Sequence, residues 1–261
     1  MMQTTVILCM VIAVGSQGKV FERNPPASSS RIIGGVYAKQ GEYPSQASLQ
    51  NSEKHVCSAN IISEQWALTA GHCVYGLPVS DHSILAGTIN LQNGGTRHQV
   101  SNIIVHEQYN KSDSWRNDIA LLQVNPPFNL DGINVQAIAL PDKGHNPSVG
   151  SRATVVGWGA DYMSGPISDE LRAVDLQISD QQICSSAYEV LYQHIKDGQI
   201  CADVPEGGKG SCNGDTGSPL IVDDVLEGLV SFTLFCATKG FPTVYTRVSY
   251  YRDWINQHAG V

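Results

Sequence analysis

The sequence lacks three features that would each suggest a different kind of protein. It has no basic excess, since 16 Lys and Arg stand against 24 Asp and Glu for a formal net charge of −8. A nucleic-acid partner is not expected, because binding to phosphates depends on clustered positive charge. Beyond the amino terminus no apolar run is long enough to cross a membrane, and no C-x-x-C pair suggests a metal site. We predict no membrane partner, metal or cofactor, and the oligomeric state stays open.

The most apolar run lies at the amino terminus. Residues 6–14 read VILCMVIAV and are followed by small residues, which is typical of a signal peptide although its usual basic start is missing. We predict a signal peptide over residues 1–15, with the boundary between 15 and 18, and therefore a secreted protein. Residues 16–31 are polar and rich in Pro and Ser, so they indicate a propeptide without a core of its own. The mature domain covers residues 32–261.

Six of the seven cysteines remain once Cys9 is removed with the signal. An even number in an exported chain indicates disulfide bonds, although spacing alone does not choose among the possible pairings.

Short β-rich segments alternate with Gly, Pro, Asn and Asp turns from Tyr43 onward, which predicts an all-β fold. The predicted strands are 46–50, 56–62, 66–70, 99–106, 119–124, 153–157, 174–178, 219–222, 229–232 and 244–248. One helix is predicted over 249–258, with Ser249 as its cap and Tyr250 and Trp254 on one face. A second short helix is predicted to begin at Ser179.

Three segments carry motifs of catalysis. Residues 66–73 read WALTAGHC, residues 117–122 read NDIALL, and residues 207–220 read GGKGSCNGDTGSPL. In this order they resemble the His, Asp and nucleophile segments of the chymotrypsin-like serine proteases. Residues 231–236, SFTLFC, resemble the strand that lines the substrate cleft of that family. Residues 31–35, RIIGG, resemble its activation junction.

The resemblance implies two six-stranded antiparallel β-barrels, split near 141–150, and a C-terminal helix. It makes His72 the general base, Asp118 the residue that orients it, and Thr216 the occupant of the nucleophile position. The backbone N–H groups of Gly214 and Thr216 would form the oxyanion hole. The implied disulfides are Cys57–Cys73, Cys184–Cys201 and Cys212–Cys236.

The resemblance also implies an activation step and a specificity pocket. Cutting after Arg31 would free the amino group of Ile32, which would pair with Asp215 because neither charge is stable when buried alone. The pocket positions are Gly210, Ser231, Phe232, Thr233, Phe235 and Thr243. Gly210 replaces the Asp of trypsins, two threonines narrow the pocket, and the Phe235 ring is expected to occupy its entrance. Asn110 begins an N-glycosylation sequon.

Thr216 departs from the family pattern, which has Ser there. Its hydroxyl is retained, but the added methyl restricts the first side-chain torsion. Ser218, where the family has Gly, puts the turn in doubt if that position needs positive φ. From these departures we expect an inactive protease homologue that binds or inhibits another protein. The alternatives are a weakly active, elastase-like protease with a Thr nucleophile and a decoy for protease inhibitors.

Details such as KGFP at 239–242 and YTRV at 245–248 look like the group 3 allergen trypsins of mites. Altered catalytic residues on that background resemble the inactivated serine protease paralogues of the scabies mite. This resemblance implies a protein ligand among host defence factors, notably complement.

Overall fold

The computed structural model describes residues 33–261. The predicted signal peptide and propeptide, together with Ile32, lie outside the described residues. The strands are β1 Val36–Tyr37, β2 Gln46–Asn51, β3 Lys54–Ile61, β4 Trp66–Thr69, β5 His82–Ala86, β6 Thr96–Val105, β7 Ala120–Asn125, β8 Arg152–Gly157, β9 Arg172–Ile178, β10 Gln199–Asp203, β11 Pro219–Val222, β12 Val225–Phe232 and β13 Thr243–Arg247. The α-helices are α1 Gln181–Glu189 and α2 Arg252–Ala259, and the 3₁₀ turns are Gly71–Cys73, Val79–Asp81 and Val248–Tyr251.

The first barrel is a closed antiparallel sheet in the order β2-β3-β4-β7-β6-β5. Small and branched apolar side chains fill its interior, among them Ala47 and Leu49 of β2, Ile84 of β5 and Leu122 of β7. Ala47 and Leu49 are two residues apart along β2, so their side chains point to the same face of that strand. Closure pairs every one of these strands on both sides, so this sheet has no open edge.

The second barrel is formed by β8 to β13. Its sheet order is β1-β9-β10-β13-β12-β11-β8, and a further pairing of β8 with β9 closes six of these strands into a ring. Strand β1 is added outside the ring, where Val36 pairs with Ala173 of β9. The prediction of two six-stranded antiparallel barrels with a C-terminal helix is confirmed. Strands β1, β5 and β10 were absent from the predicted set.

A third apolar cluster joins the two barrels and the C-terminal helix. Leu68 and Leu121 of the first barrel lie in it with Leu229 of the second and with Trp254 and Ile255 of α2. Since each barrel contributes a face to this cluster, burial of apolar area holds the two barrels together.

The C-terminal helix begins later than predicted. Residues 248–251 form a 3₁₀ turn, and α2 follows without a side-chain cap. Ser249 is not the cap, because its hydroxyl donates to the carbonyl oxygen of His145 at 2.6 Å. Tyr250 is half exposed, whereas Trp254 and Ile255 are buried. A 3₁₀ turn has three residues per turn, which rotates Tyr250 away from the face that an uninterrupted α-helix would bury.

Helix α1 begins where Asp180 caps it, since the Asp180 carboxylate accepts hydrogen bonds from the N–H groups of Gln182 and Ile183 at 2.8 and 3.0 Å. The prediction of a short helix in this segment, carrying Cys184, is confirmed. No helix in the described part of the chain is long and apolar enough to span a membrane.

Three disulfide bonds are present, and they have the pairings that the family resemblance implies. They are Cys57–Cys73, Cys184–Cys201 and Cys212–Cys236.

Candidate active site

His72 and Asp118 come from neighbouring strands of the first barrel. His72 lies in the 3₁₀ turn that follows β4, and Asp118 lies two residues before β7 begins. Strands β4 and β7 pair directly, with Thr69 opposite Ala120. Gly71 permits the close approach of the two segments, since a Cβ there would lie 3.1 Å from the Ile119 nitrogen. Strand pairing therefore brings together two residues that are far apart in the sequence.

The Asp118 carboxylate is buried and accepts hydrogen bonds at both oxygens. Its Oδ2 accepts from His72 Nδ1 at 2.8 Å and from the Ser231 hydroxyl at 2.6 Å. Its Oδ1 accepts from the His72 backbone N–H at 2.8 Å. With a proton on Nδ1, the imidazole presents the lone pair of Nε2 to the cleft, which is the arrangement a general base requires. Ser231 was predicted as a pocket residue, and its hydroxyl in addition fixes this carboxylate.

The second barrel also supports Asp118 from behind. The Thr246 hydroxyl donates to the Asp118 carbonyl oxygen at 2.7 Å, and the Tyr251 hydroxyl donates to Asn117 Oδ1 at 3.0 Å. These contacts join the segment that carries Asp118 to β13 and to the 3₁₀ turn before α2, so the orientation of His72 depends on both barrels.

Thr216 lies in the loop between Cys212 and β11. Its carbonyl oxygen accepts from the Ser58 N–H at 2.7 Å, and the following Gly217 N–H donates to the Val230 carbonyl oxygen at 2.8 Å. Gly217 has φ +79°, and a Cβ there would lie 2.3 Å from the Ser58 carbonyl oxygen. Only glycine fits at this point, so the loop comes close against strand β3.

Thr216 and His72 line the same cavity, whose volume is about 180 Å³. The other lining residues are Trp115, Cys212, Asn213, Val230, Ser231, Phe232 and Thr233. Among them, the His72 imidazole is the only titratable side chain. Trp115 was not predicted from the sequence; its ring stacks on Phe232 with centroids 4.7 Å apart. No periodic pattern or motif marks it, because only the fold brings its loop to the cleft.

Ser218 does not disturb the turn. The residue is buried and is absent from the non-glycine residues with positive φ, so the conformation does not require glycine. Its hydroxyl donates to the Ser58 hydroxyl at 2.9 Å.

The predicted oxyanion donors belong to a loop that is held by His55. The Nε2 of His55 donates to the Gly214 carbonyl oxygen at 2.9 Å, while Nδ1 accepts from the Ser48 hydroxyl at 2.8 Å. Burial lowers the pKa of His55, which favours this neutral form. Within residues 33–261, neither the Gly214 nor the Thr216 N–H donates an internal hydrogen bond, so both remain available for a substrate oxygen.

Asp215 is fully buried beside the nucleophile. Its two carboxylate oxygens accept from the N–H groups of Gly159 and Cys212 at 2.8 and 2.9 Å. A Cβ on Gly159 would lie 2.1 Å from the carboxylate, so glycine is required there. Burial raises the pKa of Asp215 to about 7, because two N–H donors compensate only part of the lost hydration.

We expect an uncleaved chain to lose stability as the pH rises from about 4 to about 7. In this window the folded chain holds a proton on Asp215 that the unfolded chain, with the ordinary pKa of 3.8, has released. Each unit of difference in pKa corresponds to about 1.4 kcal/mol, so the loss is on the order of 4 kcal/mol. The check is the urea unfolding free energy at both pH values in an Arg31→Ala chain. Asp215→Asn in that chain should flatten the dependence, and an equal slope in both would contradict the assignment.

The predicted specificity residues separate into two groups. Ser231, Phe232 and Thr233 line the cavity beside Thr216, whereas Gly210 and Thr243 line another space of only about 10 Å³. The Thr243 hydroxyl lies 2.9 Å from the Ser211 hydroxyl in the buried interior.

The Phe235 ring lies outside the residues that line the cavity. It is 41% exposed and packs edge-to-face on Phe241, with centroids 5.4 Å apart. The ring therefore contacts Phe241 and does not line the cavity, while its place at the entrance stays a prediction.

Asn110 is exposed, and its Oδ1 accepts a hydrogen bond from the Ser112 N–H at 3.0 Å. Glycosylation at this position stays a prediction. In the part of the chain that the structure describes, no group of three His, Cys, Asp or Glu side chains could hold a metal ion.

The two barrels and a cleft that joins a His–Asp pair to a hydroxyl residue define a protease of the trypsin type. The Trypsin family model matches residues 32–255, and the chain belongs to this family.

Three relatives are named trypsins. Trypsin-1 of Astacus astacus is 40% identical over 242 residues, covering 87% of this chain and 100% of the relative. Trypsin Blo t 3 of Blomia tropicalis is 38% identical over 227 residues, covering 86% of this chain and 84% of the relative. Trypsin zeta of Drosophila erecta is 37% identical over 240 residues, covering 87% of this chain and 84% of the relative.

The prediction of an inactive homologue is wrong on this comparison. The relatives that match most of this chain are named trypsins, and nothing in the comparison indicates inactivity. The family match and these names point to a protease. The physical reason lies in what Thr216 retains: a hydroxyl in the same cavity as a correctly oriented His72. The sequence argument gave the additional methyl too much weight.

Proposed function

We propose that this protein is a secreted endopeptidase of the trypsin family that uses the Thr216 hydroxyl as its nucleophile. The observation that carries the proposal is the shared cavity of Thr216 and His72, with His72 Nδ1 bound to the buried Asp118 at 2.8 Å. Secretion is supported by the apolar amino-terminal run of the sequence and by the disulfide bonds.

The proposed reaction is acyl transfer through an ester intermediate. His72 Nε2 takes the proton of the Thr216 hydroxyl as its oxygen bonds to the scissile carbonyl carbon. The N–H groups of Gly214 and Thr216 stabilise the resulting oxyanion. The imidazolium then gives its proton to the leaving amine as the C–N bond breaks. Water, deprotonated by His72, finally attacks the ester carbon. The C–O bond to Thr216 then breaks, and the imidazolium returns its proton to the Thr216 oxygen as the acid is released.

The cleft favours a small, neutral residue on the acyl side of the scissile bond. Gly210 supplies no carboxylate for Arg or Lys, and the cavity beside Thr216 is lined by no acidic side chain. The hydrogen-bonded Ser211 and Thr243 fill the interior beside Gly210 and leave little space for a long side chain. The preference therefore resembles that of elastases, despite the trypsin names of the relatives.

A Thr243→Gly variant is expected to shift the preference toward larger apolar residues. Removing this side chain opens space beside Ser211, and one methylene-sized difference in a pocket corresponds to roughly 10-fold or more in kcat/KM. The measurement is kcat/KM for peptides with Ala or Leu before the scissile bond. Thr96→Gly, on an exposed position of β6, is the matched control. Unchanged selectivity in the Thr243 variant would contradict this account of the pocket.

We propose that cleavage after Arg31 activates the chain. Among the described residues, the Asp215 carboxylate contacts only N–H donors and no cation, and Ile33 is hydrogen-bonded to Gly210 in the same loop. A new amino group at Ile32 would reach a segment already held beside this loop. Its positive charge would stabilise the ionised carboxylate of Asp215.

The proposed function is tested with a fluorophosphonate probe on chain that begins at Ile32. We expect slow covalent labelling of the wild type, with the adduct on Thr216 by peptide mass spectrometry. Thr216→Ala and His72→Ala should abolish it. Labelling of the wild type at a rate equal to that of Thr216→Ala would overturn the proposal.

A protein ligand is a second proposal, and complement components are the candidates that the resemblance to the scabies mite paralogues implies. Helix α1 and the turn after it expose Ile183, Val190 and Tyr192, at 66%, 70% and 89% of their surface. Exposed apolar side chains in one segment support an interaction surface. The test measures the binding of purified complement components on a biosensor to the wild type and to a double variant, Ile183→Glu and Tyr192→Glu. The double variant should bind at least tenfold more weakly, which corresponds to a loss of about 1.4 kcal/mol in binding free energy. Equal binding would contradict this surface.

A further inference from the structure

Two buried serines from different barrels face each other behind the cavity. Ser58 belongs to β3, and Ser218 follows Thr216 by two residues in the nucleophile loop. The Ser218 hydroxyl donates to the Ser58 hydroxyl at 2.9 Å, and both residues are fully buried. Gln46 of β2 donates to the same Ser58 oxygen at 3.0 Å.

Ser58 connects the nucleophile with the segment that carries the base. Its N–H donates to the Thr216 carbonyl oxygen at 2.7 Å. Its carbonyl oxygen accepts from the Thr69 hydroxyl at 2.7 Å, three residues before His72. The preceding residue, Cys57, forms a disulfide with Cys73, which directly follows His72. A shift of Ser58 relative to Ser218 would therefore move the hydroxyl of Thr216 relative to the imidazole.

The surroundings of Ser218 leave little room for movement. A Cβ on Gly157 would lie 2.5 Å from the Ser218 hydroxyl oxygen, so a glycine accommodates this hydroxyl. The Ser218 carbonyl oxygen accepts from the Val230 N–H at 2.8 Å, and the Asn60 amide donates to the Gly217 carbonyl oxygen at 2.8 Å. The hydroxyl pair thus adds a second side-chain link, beside that of Asn60, between β3 and the nucleophile loop.

We propose that Ser58 and Ser218 form a positioning pair that sets Thr216 against His72. This proposal rests on the proposed function. Because a β-branched side chain has fewer accessible first torsions than serine, Thr216 cannot correct a misplaced backbone by rotating its hydroxyl. The alignment of the reacting oxygen therefore depends on the backbone, and the hydroxyl pair contributes to the position of that backbone beside the contacts of Asn60 and Val230.

The test compares Ser58→Ala, Ser218→Ala and the double variant. Each single variant should label with fluorophosphonate, and turn over peptide, about tenfold more slowly, with KM within about twofold, because small displacements of reacting groups cost rate more than binding. The rate of the double variant should fall by about the same factor as that of either single variant, since the two hydroxyls act through one hydrogen bond. Ser249→Ala removes a buried serine hydroxyl remote from the cleft and should leave kcat unchanged.

A second measurement separates this proposal from the proposed function. Hydrogen exchange of the Ser58 amide, which donates to Thr216, should become at least tenfold faster in Ser218→Ala and stay unchanged in Ser249→Ala. If the wild type does not label, the proposed function fails, and this exchange rate still decides whether the pair positions the loop. Unchanged exchange overturns the positioning pair, as does a twofold or smaller effect on kcat in an active chain.

Discussion

Asp118→Asn is expected to lower the rate of acyl transfer by about 10⁴-fold while the fold is retained, as in other enzymes with this triad. In the wild type, the Asp118 carboxylate accepts three hydrogen bonds, two from His72 and one from Ser231. An amide in its place presents an N–H₂ group to at least one of these donors. If this group faces Nδ1, the imidazole must carry its proton on Nε2, and it can no longer accept the proton of Thr216.

The loss is measured as the rate of fluorophosphonate labelling and as kcat on a small-residue peptide. Asp175→Asn is the control, because that carboxylate lies on the outer surface and pairs with Arg152. Its variant should keep the wild-type rate. A full rate in Asp118→Asn would mean that the His72–Asp118 pair has no part in catalysis.

Thr216→Ser is expected to raise the labelling rate by about 10²-fold. The methyl of Thr216 restricts the first torsion, so the hydroxyl reaches the position between His72 and the carbonyl in a minor conformation. A misplacement of about 1 Å costs roughly that factor in rate. The backbone contacts with Ser58 and Val230 do not involve this side chain, so the loop remains in place.

Thr69→Ser is the matched control for the loss of one buried methyl in the same region. Its hydroxyl still donates to the Ser58 carbonyl oxygen, and its variant should lose stability without gaining rate. A Thr216→Ser chain that labels no faster than the wild type would show that the methyl is not what limits the reaction. The residues that narrow the pocket would then be substituted next to find what limits the rate, beginning with Thr243.

The departures from the family motif have different outcomes in the structure. Ser218 looked like a threat to its turn, yet it adopts an ordinary φ and gains a buried partner on β3. Phe235 was expected at the entrance of the pocket, and in the structure its ring packs on Phe241. In both cases the residue type is visible in the sequence, whereas its direction depends on which side chain lies opposite in the fold.

Turn residues and alternation are local patterns, so the sequence alone was enough to predict the all-β class, most strands and the helix around Cys184. The residues of the His–Asp–hydroxyl set came from the resemblance of three motifs to the chymotrypsin-like family. The sequence-based prediction placed the start of α2 too early, since a 3₁₀ turn precedes the helix, as is frequent at helix ends. Only the tertiary structure decided that Trp115 lines the cleft and that Ser58 meets Ser218. These contacts join segments far apart in the chain, and the packing of the two barrels against each other, rather than any local preference, brings them together.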